Sequence, residues 1–426
     1  MRILWITQDT LNEFYPYVKG KPNKSASWTS PLFYNLQKNE TLQLGSVVSV
    51  TNGEVQKECI KNVPYYSIPI KYGGNLKLLP VNQVKMYKKV IADFQPDIIH
   101  IHGVEFNFGL LRKHIDSNIP IVCSIQGLIN PCYLFLKYSV AAIDLNKYRS
   151  LKNLLGRGGF QGNLKRWRGY INIEKEIVKI NDYFIGRTLW DKSQLAALNP
   201  SAHYFHGEEL LREPFYSNKW NIKDCISHRV FISSSITTIK GFHILLEAAA
   251  ILKRSYPHLK IVAPLSDFSL KSSKLRRFLL AEDYSNYLRE KINRLNLAEN
   301  VILLPKLNAD EMAVEFKKAH VFVLASFIEN SPNALGEAMS IGTPSVVSPV
   351  GGVMSMVKDE ESALIFPSGD YNMLAFQIDR IFKDDKLAEK LSENSKKTAL
   401  KRHDVNATTI EYVDIYNKII QLHKQV

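Results

Sequence analysis

Two glutamates, Glu329 and Glu337, divided between a loop and a helix, constrain this chain more than any other feature. The stretch reads Ser326-Phe327-Ile328-Glu329-Asn330-Ser331-Pro332-Asn333-Ala334-Leu335-Gly336-Glu337-Ala338-Met339. Before it, Val321-Phe322-Val323-Leu324-Ala325 is short, apolar and partly β-branched, the pattern of a buried parallel strand. Ser331 is suited to the N-cap and Pro332 to the first helical position, where its missing N–H costs nothing. Gly342, with Pro344 beyond, stops the helix after about Ile341. Glu329 then sits on the loop facing the helix N-terminus. Glu337 lies inside the helix, roughly 7.5 Å beyond Pro332 and on the same face as Asn333. The unpaired N–H groups and partial positive charge of such a terminus suit a diphosphate. One acid flanks each side of that seat, the placement needed for a sugar on one side and a ribose diol on the other. The plainer alternative is a solvent-facing glutamate on an ordinary helix.

The rest of the chain alternates strands and helices. Apolar strands are expected at 47–50, 97–101, 121–125 and 182–186, with helical patterns between them such as 84–94. That order implies a parallel sheet with helices on both faces, binding ligands beyond the strand C-termini. His100 and His102, two apart on a strand, face the same way, and Glu105 follows closely. They are open to a metal reading and to a plain hydrogen-bonded strand end; His102, beside Gly103, is a candidate on the acceptor side. A second set begins with a strand at 230–234, a loop carrying Lys240-Gly241 and a helix over 242–254. A lysine between a strand end and a helix N-terminus is placed to neutralise phosphates, the alternative being a solvated surface lysine. Further strands are expected at 259–263 and 301–307, with a basic insert over 266–286. Asn308 and Glu311 are spaced as a capping box. Residues 206–228 lack periodicity and read as a connection, which gives domains at 1–205 and 229–403. An amphipathic helix follows over 404–426.

The two-glutamate stretch, the Lys240-Gly241 pair and Gly342-Thr343-Pro344 followed by Gly351-Gly352 resemble the signature of retaining GT-B glycosyltransferases of family 4. The resemblance implies an α/β chain of two Rossmann-like domains whose parallel sheets face across a cleft. It implies the acceptor in the first domain, a nucleotide-diphosphate sugar as donor in the second, and a C-terminal helix packing back on the first. By it Glu329 contacts the donor sugar, Glu337 holds the ribose hydroxyls and Lys240 binds the diphosphate. Ser331, Asn333, Ala334 and Leu335 form the rest of the phosphate end, and backbone groups near Lys306 and Leu307 hold the base. No cofactor and no metal are implied, and no Asp-x-Asp occurs in the chain. The chain departs from the family at several places. Ser234 and Ser235 stand where a Gly-Arg usually supplies a second cation; their hydroxyls, Lys306 or the basic stretch 271–277 are the substitutes available. Gln126-Gly127 stands where many members carry His-Gly, and glutamine is neither acid nor base at neutral pH. Only Gly20 remains of the usual Gly-Gly loop after the first strand, and Ser355 replaces an acid after the later Gly-Gly. A same-fold nucleotide-sugar epimerase and a noncatalytic nucleotide-sugar-binding relative are the competing readings.

The 426 residues suffice for two cores, and no apolar run nears the ~20 residues of a membrane span. The N-terminus reads directly as a strand, without a cleavable leader, so a cytoplasmic protein is expected. Cys59, Cys123, Cys132 and Cys225 lack metal-ligand spacing and read as free thiols. The net charge of +14 leaves nucleic acid, an anionic membrane or a phosphorylated substrate as partners. No nucleic-acid-binding motif supports the first. Over 141–170 the chain sets Lys147, Arg149, Lys152, Arg157, Lys165, Arg166 and Arg168 against Asp144 alone, interleaved with Leu151, Leu154, Leu155, Phe160, Leu164 and Trp167. This stretch reads either as a peripheral membrane contact on the inner face, where a lipid-linked acceptor would be presented, or as a solvated loop serving a phosphorylated acceptor. A glycan is the other acceptor class, and cell-surface polysaccharide synthesis the setting that the resemblance implies.

Overall fold

Among the described residues, fourteen strands fall into two sheets. The computed structural model describes residues 1–19, 29–50, 56–69, 79–141, 143–156, 158–265 and 273–425. Gly20, Arg157 and Lys271, singled out above, lie outside the described residues. The chain divides into two compact units, Met1–Asn130, Arg168–Arg212 and His403–Val426 forming the first, and Pro131–Trp167 and Glu213–Arg402 the second.

The first unit contains β1 (Arg2–Thr7), β2 (Gln43–Val50), β3 (Gln56–Ile60), β4 (Val63–Pro69), β5 (Ile98–His102), β6 (Ile121–Ser124), β7 (Tyr183–Gly186) and β8 (His203–His206). Their order is β3-β4-β2-β1-β5-β6-β7-β8, all neighbours parallel except the β3–β4 pair. Strand alternation divides the core in two. Leu4, Ile6, Ile99 and Ile101 pack into one cluster. Ile3, Trp5 and Ile98 pack into the other, with Tyr412, Ile415, Tyr416 and Ile419 of the last helix, Val405–His423. The Trp5 indole N–H donates to the Tyr416 hydroxyl at 3.2 Å, so the C-terminus of the chain is built into this unit.

The second unit contains β9 (Arg229–Phe231), β10 (Lys260–Pro264), β11 (Val301–Leu304), β12 (Val321–Leu324), β13 (Ser345–Val347) and β14 (Leu364–Ile365). All pairings are parallel, in the order β11-β10-β9-β12-β13-β14. Counted from its own first strand this is 3-2-1-4-5-6, the doubly wound order, with its reversal between β9 and β12. β12, buried along its whole length, is a continuous apolar run, as the sequence pattern of 321–325 requires.

Two stretches depart from the linear division read from the sequence. Residues 213–228 are anchored in the second unit rather than bridging as a free connection. Phe215 and Trp220 are buried there; the Trp220 backbone N–H donates to the Ile341 carbonyl at 2.8 Å and its indole N–H to the Ala319 carbonyl at 2.8 Å. Two isolated aromatic anchors leave no periodicity to read. Residues 131–167, placed by position in a first domain of 1–205, pack with the second unit. The Ser139 and Thr238 hydroxyls meet at 2.8 Å, the Tyr148 hydroxyl donates to Glu290 at 2.9 Å, and the Phe160 N–H donates to Asp283 at 2.8 Å. The basic insert resolves, where described, into the helix Lys274–Leu280 and the start of another, Asp283–Arg294.

Gly241 sits at the crossover itself. Its φ is +69°, and a Cβ there would lie 1.9 Å from the Ala325 carbonyl oxygen. Both backbone strain and a main-chain clash oppose any side chain. Gly241→Ala is therefore expected to cost about 2–4 kcal/mol of stability in equilibrium denaturation, well above the ~1 kcal/mol typical of a point substitution.

Candidate functional site

The reversal of strand order brings two loops together at the carboxyl edge of the second sheet. After β9 the chain forms a short 3-10 turn, Thr238–Lys240, then turns through Gly241 into the helix Phe242–Leu252. After β12 it runs through Ser326–Ser331 into the helix Asn333–Ile341. The Phe327 N–H donates to the Ile239 carbonyl at 2.8 Å, fixing one loop to the other. Lys240 Nζ then meets Glu329 Oε1 at 2.5 Å, and the Ser326 hydroxyl donates to the same oxygen at 2.6 Å. The glutamate side chain is 10% exposed and the lysine 30%, so the ammonium faces solvent from one side.

The backbone of Glu329 is held as firmly as its carboxylate. The Gly352 N–H donates to the Glu329 carbonyl at 3.0 Å. A Cβ on Gly351, at φ +54°, would lie 1.9 Å from that same oxygen. The Gly351-Gly352 turn is thus required by the close approach of this loop. Ser348 contributes from β13's end, donating to the Ser326 carbonyl at 2.6 Å.

The helix begins one residue later than the sequence suggests. Pro332, with extended backbone, is the N-cap, and Asn333 is the first helical residue. The Ser331 hydroxyl does not cap; it lies 3.8 Å from the Met356 sulfur as its donor. The cause is local: the proline carbonyl already accepts from Leu335 at 2.9 Å and Gly336 at 3.3 Å. Leu335's N–H is therefore committed, and its side chain is buried. Asn333 and Ala334, both half-exposed, are the first-turn residues left at a terminus with no side-chain cap. The helix ends at Ile341 with Gly342 at φ +90°. Glu337 is buried along it.

The remaining donor-side candidates disperse along the same edge. Ser234 is half-buried in the loop after β9. Ser235 is fully buried and donates to the Pro264 carbonyl at 2.7 Å, which commits its single proton to holding β10's end. Lys306 and Leu307 follow β11, two strands removed from β9, exposed and half-buried respectively. The capping box forms, Asn308 accepting from the Glu311 N–H and Glu311 from the Asn308 N–H.

His102 and Gln126 belong to the first unit. His100 is a hydrogen-bonded strand residue, its Nδ1 2.7 Å from the Tyr416 hydroxyl and its Nε2 2.6 Å from Ser124 Oγ. Burial lowers its imidazole to about 3. The His102 ring packs between those of Trp5 and His100, each centroid 4.0 Å away. Burial, with His100 and Arg187 adding to it, holds it well below the usual histidine range. Gln126 accepts from Arg187 through its side-chain oxygen at 3.1 Å. Arg187 also pairs with Glu209 at 2.5 Å, both side chains buried. Glu209 and Glu174 are buried carboxyl groups that the sequence reading did not single out. Glu174 accepts from the Ile129 and Asn130 N–H groups, 45 and 44 residues away in sequence, a separation that leaves no local pattern.

Residues 226–398 match the family model described as glycosyl transferases group 1. An uncharacterised glycosyltransferase of Methanocaldococcus jannaschii, MJ1607, is 29% identical over 141 residues, covering 33% of this chain and 36% of that protein. The chain spans about a third of the length of the curated relatives it matches first. Among solved structures, sucrose-phosphate synthase of Thermosynechococcus elongatus superposes with a TM-score of 0.70 at 18% identity, covering 99% of this chain and 100% of that one. Anabaena HepE, solved in complex with UDP and glucose, gives 0.65 at 16% identity over 98% and 100%. The fold is GT-B, and the matches support a group 1 glycosyltransferase.

Glu105 in the first unit generates a pH prediction. Its Oε2 is sealed from solvent with no hydrogen-bond partner among the described residues. Burial raises its carboxyl from 4.5 to about 7, opposed by backbone N–H groups and Arg187. The folded state therefore keeps a proton that the unfolded chain loses between these values, so stability falls as pH rises through that window. Glu105→Gln is expected to match the wild type below pH 4.5 and to exceed it in denaturation midpoint above pH 7, with the difference opening in between.

Proposed function

We propose that the protein transfers a sugar from a nucleotide-diphosphate sugar to an acceptor hydroxyl, with retention at the anomeric carbon. The observation that carries this reading is the Lys240–Glu329 pair at the crossover of a doubly wound sheet, beside an uncapped helix N-terminus. Ligands of open α/β sheets bind at that crossover, and an anion gains from both the ammonium and the helix end. The donor diphosphate lies against Lys240 and the Asn333–Ala334 turn, Glu329 orients the sugar, and Glu337 receives the ribose diol. Fixed charges and dipoles of this kind stabilise the leaving diphosphate without reorganisation. The bond from the anomeric carbon to the phosphate oxygen breaks, the acceptor oxygen takes that carbon on the same face, and the acceptor proton passes to the departing phosphate. HepE, of the same fold, has been solved with UDP and glucose, which supports a nucleotide sugar as donor. The acceptor is a glycan or a lipid-linked saccharide, handled on the cytoplasmic side in the building of a surface polysaccharide.

Glu337→Ala is expected to weaken donor binding by about 1.5–3 kcal/mol, roughly ten- to a hundredfold, with turnover less affected. Glu329→Ala should lower turnover more than affinity. Steady-state kinetics with a nucleotide-sugar panel, repeated in EDTA, checks both; the phosphate seat of Lys240 and helix end implies full activity with chelator. Wild-type constants in both variants would refute the assignment.

The reading includes attachment to an anionic membrane face through residues 141–170. No helix of the described residues is long and apolar enough to cross a membrane. The support is an apolar surface, exposed among the described residues, beside the basic run. Leu154 and Leu155 are 61% and 68% exposed, and the helix Leu151–Leu154 packs against Lys274–Leu280, where Leu275 and Phe278 are also exposed. Each basic residue near an anionic surface contributes about 1 kcal/mol. The protein is expected to co-sediment with phosphatidylglycerol-containing vesicles at low salt, much less with neutral ones. Leu154→Glu with Leu155→Glu should abolish this; equal, negligible binding to all vesicles would refute it.

A further inference from the structure

A cavity of about 490 Å³ lies within the second unit, apart from the phosphate seat yet built on the same loops. Its lining includes six rings, Tyr138, Tyr148, His243, Tyr287, Phe327 and Tyr371, beside charged groups of both signs. Phe327 and His243 stack with centroids 5.8 Å apart and planes 6° from parallel. Tyr148 meets Tyr287 edge-on at 5.4 Å. The rings are fixed by polar contacts around them. His243 Nδ1 is 3.0 Å from the Tyr284 hydroxyl, and the Lys291 ammonium lies 3.2 Å from the Tyr287 hydroxyl. Lys291 also pairs with Glu247, which Arg294 approaches at 3.7 Å.

The lining discriminates among ligand classes. A lipid chain calls for aliphatic walls, and Ile143 and Ile244 are the large aliphatic side chains here. A nucleotide phosphate calls for concentrated positive charge, whereas Lys147, Lys291 and Arg294 are set against Asp144 and Glu247. A pyranose needs both kinds of surface at once. Its C–H faces lie on aromatic rings, and its hydroxyl rim hydrogen-bonds to paired acid and base groups that can donate and accept. The volume falls in the usual range for small-ligand sites and accommodates about two hexose rings.

We propose that this cavity is a saccharide-binding subsite. It holds pyranose residues of the acceptor or product glycan away from the reacting hydroxyl, beside the loop that carries Glu329. That purpose rests on the transferase reading; the binding itself does not.

The experiment measures glycan binding by the full chain without any nucleotide sugar, on an array of neutral and uronate-bearing oligosaccharides, followed by saturation-transfer NMR on those retained. Retention of pyranose glycans is expected, with Tyr138→Ala and Tyr371→Ala each weakening it about five- to tenfold. These two side chains are 65% and 40% exposed, so their removal leaves the fold intact, which circular dichroism verifies. Preference for uronate glycans that Arg294→Ala abolishes identifies an acidic sugar, and equal retention a neutral one; either supports the subsite. No retained glycan, or retention unchanged in both tyrosine variants, overturns it. Thermal shift with nucleotide sugars, run in parallel, reports on the donor reading alone, so the two can fail separately.

Discussion

The hydrogen bond from the Phe327 N–H to the Ile239 carbonyl, with Ala325 pressed against Gly241, is the contact on which the candidate site depends. Two chain segments leaving adjacent parallel strands in opposite senses would ordinarily diverge into their own helices. Here the main chains touch before either helix begins, with no side chain interposed. That contact places Lys240 and Glu329, 89 residues apart in sequence, within 2.5 Å. It also explains why the glycines cluster: Gly241 and Gly351 each stand where a neighbouring carbonyl occupies the position of a Cβ.

On the proposed reading, where the phosphate charge goes is a question of few groups. Ser235 has its proton committed to the Pro264 carbonyl. Neutralisation falls to Lys240, helped by the helix end at Asn333, whose contribution fades within the first turn. Lys240 is also the partner of Glu329, and the carboxylate has Ser326 as a second donor. An arriving diphosphate can therefore draw the ammonium toward itself without stranding the glutamate.

Much of this was legible in the sequence because it is written in short-range patterns. The strand 321–324, the helix to Ile341 with Gly342 behind it, and the Asn308–Glu311 capping box each need only a few contiguous residues. The alternation of apolar strands and helices was enough to imply two parallel sheets, but not their contacts. The helix start moved from Pro332 to Asn333: Pro332 is the N-cap, its carbonyl accepting from the Leu335 and Gly336 N–H groups, while the Ser331 hydroxyl does not cap. Phe215 and Trp220 were illegible because two anchors make no period. The Arg187–Glu209 pair and Glu174's hold on residues 129 and 130 were illegible because their partners are far apart in the chain.

The segment Pro131–Trp167 illustrates what chain order conceals. Sequence position assigns it to the first unit, which holds Asn130 before it and Arg168 after it. Its contacts are with Thr238, Glu282, Asp283 and Glu290 of the second. Of these, Thr238 opens the 3-10 turn that ends in Lys240, so a residue of the segment, Ser139, touches the turn that positions the lysine. The segment also supplies Tyr138 and Tyr148 to the aromatic cavity and Leu154 and Leu155 to the exposed apolar surface. A stretch that reads from composition as a basic loop is thereby three things at once: a contact to the turn that carries Lys240, a wall of a ring-lined cavity, and an exposed apolar surface. Its basic character is consistent with all three only because the charges and the rings fall on separate side chains, Lys152 being tied to Glu282 while the leucines stay uncovered.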